Sequence, residues 1–126
     1  MKQSDKLDII CINKVLRYIK LIDETYTMCG IRNKEDLLGN GVCQLAIAQA
    51  ITNIYEIKKK ISSDTLVKTP SFSKILLKAA RNIASHDYDS LDFKVVYART
   101  MQLLKCEVSS ELEAAKNELR DNNPSD

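Results

Sequence analysis

Apolar residues recur at spacings of three and four along nearly the whole chain, and only three glycines and two prolines occur among its 126 residues. That periodicity puts an apolar stripe on each of a series of helices, and the scarcity of Gly and Pro leaves few places to turn. No stretch alternates with the two-residue period of a strand. The chain reads as all-α, with long helical segments joined by short connections.

The first helix is expected to start at Ser4 or Asp5, either able to cap exposed amides, and to stop before Gly30. Its stripe is Ile9, Ile12, Leu16, Ile19 and Ile22. Lys34 to Leu38 offers one further turn, and Gly39-Asn40-Gly41 breaks the helix there, since glycine costs about 1 kcal/mol in a helix interior. A second long helix spans Val42 to Ile61 with a seam of Cys43, Ile47, Ala50, Ile54, Ile57 and Ile61. Leu45, Ala48, Ile51 and Tyr55 add apolar area outside that seam, so this helix is either central in the bundle or also faces a second subunit. Lys58-Lys59-Lys60 places positive charge at its C-terminal end, as a solvated helix terminus does. Ser62 to Pro70 reads as a loop, and Ser71 as the cap of a third helix running through Phe72 to Ser85. After a connection at Asp89-Ser90-Leu91-Asp92, a fourth helix runs through Phe93, Val96, Tyr97, Leu104, Val108 and Leu112 toward Leu119. Its last turns are expected to protrude, with residues 1–121 forming one helical domain and 122–126 a disordered tail.

Composition narrows the classes. With 44% hydrophobic and 29% charged residues the chain suits a globular core rather than a disordered one. No apolar run approaches the roughly 18 residues of a membrane span. The start, Met1-Lys2-Gln3-Ser4-Asp5-Lys6, leads into a stretch broken by Asp8, Asn13 and Lys14 and lacks the features of a secretory signal, so a cytoplasmic location and no membrane contact are expected. Cys11, Cys29, Cys43 and Cys106 form no C-x-x-C pair; they are expected to be buried small hydrophobes, with no metal site. A net charge of +2 is too small to announce nucleic-acid binding, so the distribution of charge has to decide.

The third helix carries the most information. At about 100° per residue, Phe72, Ile75, Leu76, Ala79 and Ile83 share one side, while Lys74, Lys78, Arg81 and Ser85 line the other. Such a ridge is either a solvated face or a track for a phosphate backbone, with Arg able to grip a phosphate through two donors. It ends in His86, the only histidine. A histidine there either caps the helix or transfers a proton in phosphodiester cleavage. Arg81 can meet negative charge growing on phosphate oxygens. With a ribose 2′-hydroxyl as nucleophile, these groups suffice for RNA cleavage without a metal or cofactor.

The run Arg81-Asn82-Ile83-Ala84-Ser85-His86-Asp87-Tyr88 resembles the R-N-x-x-x-H-x-Y signature of HEPN-domain proteins, specifically the HepT-like toxins paired with minimal nucleotidyltransferase antitoxins. Leu45 to Ile61, Phe72 to Ala80 and Leu91 to Leu104 resemble the family's second helix, the segment leading into the motif and the closing helix. The resemblance implies an antiparallel up-and-down bundle of four to five helices that forms a homodimer, with RNA as substrate in a cleft on the twofold axis. It implies Arg81 and His86 as the catalytic pair with Asn82 in support, and the ridge residues Lys74, Lys78 and Ser85 are then expected along the RNA. Tyr88 matches the tyrosine to which the cognate nucleotidyltransferase antitoxin transfers AMP; an anionic adduct there repels RNA. Three stretches depart from the pattern: Asp87 stands where Gly is usual, Tyr55-Glu56-Ile57 replaces a Gly-Glu-Ala step, and Phe72 replaces a Trp.

Residues five apart lie about 140° around a regular helix. Arg81 and His86 therefore share a site only if the helix ends near Ser85, or if Arg81 of one subunit works with His86 of its mate. Beside the endoribonuclease stand two other readings: a non-catalytic helical module that partners a nucleotidyltransferase, and an inert dimeric bundle whose His86 only caps its helix.

Overall fold

The computed structural model describes residues 1–77 and 92–123, and within them the chain is all-helical. Seven helices are described: α1 (Gln3–Cys29), α2 (Lys34–Leu38), α3 (Gly41–Lys58), α4 (Ser63–Val67), α5 (Pro70–Ser73), α6 (Phe93–Leu103) and α7 (Cys106–Asp121). They form a helical bundle in which α1 packs along α3 and against α7, α2 bridges α3 and α6, and α5 rests on α7. No helix among the described residues is long and apolar enough to cross a membrane.

The glycines act where expected. Gly30 ends α1 in the left-handed region at φ 69°; its amide donates to the Thr27 carbonyl at 3.2 Å and the Ile31 amide to the Tyr26 carbonyl at 2.9 Å. Those two bonds satisfy carbonyls that the end of a helix leaves open. Between α2 and α3, Asn40 accepts from the Cys43 amide at 3.0 Å, so the Gly-Asn-Gly break closes one helix and caps the next.

The start and inner face of α1 differ from expectation. Lys2 precedes its first turn with no side-chain cap, so neither Ser4 nor Asp5 plays that part. Its buried stripe is Asp8, Cys11, Ile12, Val15, Ile19, Ile22 and Tyr26, rotated so that Ile9 and Leu16 are only partly buried. The rotation turns Asp8 inward, 2% exposed, and Tyr26 meets the Thr100 hydroxyl at 2.6 Å. Burial pushes the Tyr26 phenol up to about 12.

Helix α3 is central. It buries Cys43, Ile47, Ala48, Ala50, Ile51 and Ile54, two sides rather than one. Between Asp36 and Glu56 no side chain is charged. Its outward residues Val42 and Leu45 are 80% and 54% exposed, beside exposed Ala46 and Gln49. Burial, with a hydrogen bond to Cys29, pushes the Cys43 thiol up to about 12, so it is protonated and unreactive at neutral pH. Cys11 is buried as well, Cys29 is partly buried, and Cys106 is exposed, against the expectation for all four.

Three boundaries are corrected. Ser62 to Pro70 contains helix α4, capped by Ser62 through the Thr65 amide at 3.3 Å. The expected fourth helix is two, parted at Leu104 and Lys105 with no glycine or proline. Burial sets that break: Phe93, Val96, Thr100 and Leu103 face the core on α6, and Val108, Leu112, Ala115 and Leu119 on α7. Leu103 and Val108 are five apart, which in one straight helix puts them about 140° from each other. Nor do the last turns of α7 protrude, since Leu119 is buried and Asn123 donates to the Leu119 carbonyl and to Asp5. Of the expected tail, Asn122 and Asn123 are ordered against α7, and residues 124–126 lie outside the described set.

Candidate functional site

The segment that delivers the chain toward the Arg81 to Tyr88 motif is residues 62–77, and four side chains, one from each of four helices, hold it. From α1, Asp8 accepts from the Ser62 amide at 2.9 Å, the Ser62 hydroxyl at 2.5 Å and the Thr65 hydroxyl at 2.6 Å. A carboxylate at the start of α4 meets donors that a helix N-terminus leaves unsatisfied. From α3, Lys58 donates to the carbonyls of Phe72, Ser73 and Ile75 at 3.5, 2.8 and 3.0 Å. This matches a cation to the end of α5, where carbonyls lack partners. Its ammonium also lies 5.3 Å from the centre of the Phe72 ring. Burial lowers the Lys58 pKa from its ordinary value.

From α7, Glu111 accepts from the Ser71 amide at 2.8 Å and its hydroxyl at 2.7 Å. Those bonds hold the carboxyl below its ordinary range. From α6, the Arg99 Nε donates to the Leu76 carbonyl at 3.2 Å. Phe72 is fully buried among these anchors; burying such a side chain stabilises by roughly 1.5–3 kcal/mol.

These contacts overturn two expectations. Ser71 does not cap a long third helix: Pro70 opens α5, whose fixed φ and missing N–H suit a first turn, and the helix ends at Ser73. Ile75 and Leu77 are buried while Leu76 between them is 67% exposed, so the chain alternates here rather than following a helical stripe. Leu76 therefore does not join Phe72 and Ile75 on a packing face, and Lys74 does not begin a continuous helical ridge. Lys58 is no solvated helix end either; its neighbour Lys59 fits that description better, pairing with Glu56 at 3.0 Å over the Tyr55 ring.

Lys74 is the one residue of the proposed site within the described set. It is exposed and lines a cleft of about 330 Å³ with Ser71, Gln102, Lys105 and Glu107. The cation beside it is thus Lys105, at the break between α6 and α7, which periodicity could not single out because one unbroken helix was expected there. Lys78, Arg81, Asn82, Ser85, His86 and Tyr88, with Asp87, lie outside the described residues. Among the described residues no group of three His, Cys, Asp or Glu side chains could hold a metal ion.

Comparison of the chain with known protein families, with curated proteins and with solved structures gives no match. The functional reading therefore rests on the chain's own residues.

Proposed function

We propose that this chain is a metal-independent endoribonuclease of the HEPN type, the toxin of a toxin–antitoxin pair acting in the cytoplasm. The observation that carries this reading is the run Arg81-Asn82-Ile83-Ala84-Ser85-His86-Asp87-Tyr88, which holds the single histidine of a helical chain. In the proposed step a ribose 2′-oxygen attacks the adjacent phosphorus and the bond to the 5′-oxygen breaks. The 2′-hydroxyl proton leaves to solvent, His86 protonates the departing oxygen, and a 2′,3′-cyclic phosphate remains. Arg81 donates to the phosphate oxygens as their charge grows, and Asn82 supports it. Lys74 and Lys105, which share a cleft, suit an approaching phosphate backbone.

A homodimer completes the site in this proposal. The outward face of α3 supports the pairing: a twofold interface sets a patch against its own copy, and a patch without charge pairs without like-charge repulsion. AMP transfer to Tyr88 by a minimal nucleotidyltransferase partner is the proposed means of silencing. Asp87, a carboxylate beside His86, favours a second reading in which the chain is a non-catalytic partner of that nucleotidyltransferase.

The test is RNA cleavage by the purified protein in EDTA. Cleavage that persists with the chelator and disappears in both Arg81→Ala and His86→Ala, with the circular dichroism melt unchanged, is the expected result. Activity that EDTA abolishes or that survives His86→Ala overturns the mechanism. Intact RNA together with tight binding of the nucleotidyltransferase selects the second reading.

A further inference from the structure

Helix α1 carries two seams. The inner one, Asp8 to Tyr26, belongs to the core. On the opposite side, Leu7, Ile10, Lys14, Arg17, Leu21, Glu24 and Met28 follow one another in alternating steps of three and four, the spacing by which one helix packs along another. A solvated face has no need of apolar residues at those positions, yet Leu7, Ile10, Leu21 and Met28 are 43%, 50%, 44% and 86% exposed. The seam is basic in the middle, where Lys14 and Arg17 stand, and carries apolar residues at both ends, with Glu24 between Leu21 and Met28; exposed Lys2, Lys6 and Lys20 flank one side of it. At its N-terminal end a groove of about 580 Å³ opens between α1 and α7, lined by Met1, Ile9 and Ile10 with Lys6 and Arg120. An apolar floor under two cations suits a large apolar side chain flanked by carboxylates.

We propose that the outward seam of α1, from Leu7 to Met28, docks an amphipathic helix of a different chain, apolar at the ends of its contact stripe and acidic at the centre. A second copy of this chain does not fit over the full length of the seam. Parallel pairing sets Lys14 on Lys14 and Arg17 on Arg17, and antiparallel pairing over the same span brings Arg17 against its own copy at the twofold axis; both juxtapose like charges. A membrane surface calls for a broad apolar face rather than a narrow seam interrupted by two cations.

The experiment uses two synthetic helical peptides with leucine at the outer seam positions, one with glutamate and the other with lysine at the two central ones. Binding to the full chain is read by fluorescence anisotropy. The glutamate peptide is expected to bind at least about tenfold more tightly than the lysine peptide. The double variant Lys14→Glu with Arg17→Glu is expected to reverse that order. Ile10→Ser and Leu21→Ser, both at exposed positions, are expected to weaken binding by about tenfold each while leaving the thermal melt and the sedimentation coefficient unchanged. Equal affinity for the two peptides, no measurable binding of the glutamate peptide, or an order that survives charge reversal overturns the proposal. A change in oligomeric state on Leu21→Ser overturns it too, by assigning the seam to a second copy.

Discussion

Asp8 and Lys58 carry opposite charges on neighbouring helices and hold the two ends of the same stretch of chain. Asp8 takes three donors at the start of α4, and Lys58 gives to three carbonyls at the end of α5. Neither has an ion-pair partner in these contacts; each is matched to a helix end of the right polarity. They differ in their access to water. The short Asp8 side chain is enclosed, whereas Lys58 is half-buried and sets its ammonium over the Phe72 ring at the end of a long stem. A charge with no route to solvent depends wholly on its partners, and a charge on a long stem does not.

That difference ranks the outcomes of mutation. Asp8→Ala is expected to cost the most, about 3 kcal/mol, because charge-assisted bonds are lost and the half-buried Ser62 donors and the buried Thr65 hydroxyl lose their acceptor. Asp8→Asn, which keeps one acceptor oxygen, should recover part of it; urea denaturation of both variants measures the ranking. Lys58→Met retains the apolar stem and is expected to cost about 1–2 kcal/mol, since the freed carbonyls can reach water. A larger loss for Lys58→Met than for Asp8→Ala would break the comparison. The double variant sharpens it: a combined cost below the sum shows that residues 62–77 dock as one unit, and an additive cost shows that the two ends act separately.

The smallest effect is expected at the half-buried pair of Ser71 and Glu111. The folded pKa of Glu111 lies below its ordinary value. Its contribution is therefore full above the ordinary carboxylate range and fades as pH falls through the lowered folded value. The urea midpoint of Glu111→Gln should lie below that of the unchanged protein at about pH 7, and the gap should close by about pH 3. A gap that widens in acid would remove the pair from the set of anchors.

Legibility in sequence followed the range of the interaction. Gly30, the Gly39-Asn40-Gly41 break and the Asp92 start of α6 were readable because caps act within a few residues of themselves. The break at Leu104 and Lys105 leaves a trace only as a slip from steps of three and four to a step of five in the buried positions. The early end of α5 leaves less, since Phe72, Ile75 and Leu76 fit a helical stripe by spacing; the ending depends on Lys58, fourteen residues earlier than Phe72. Of the candidate site, Lys74 was legible as a surface cation and its neighbour Lys105 was not.

By itself the sequence determined that this protein is helical, where its glycine-marked ends fall, and that its one histidine stands in the run Arg81 to Tyr88. Those properties come from local periodicity, capping and side-chain chemistry, which neighbours along the chain settle between themselves. Only the tertiary structure decided that Asp8 points inward, that Lys58 is a cap rather than a solvated end, and that the third segment breaks before Leu77. Each of these choices sets a charge or a carbonyl against a partner many residues away, and its free energy exists only once the helices are packed.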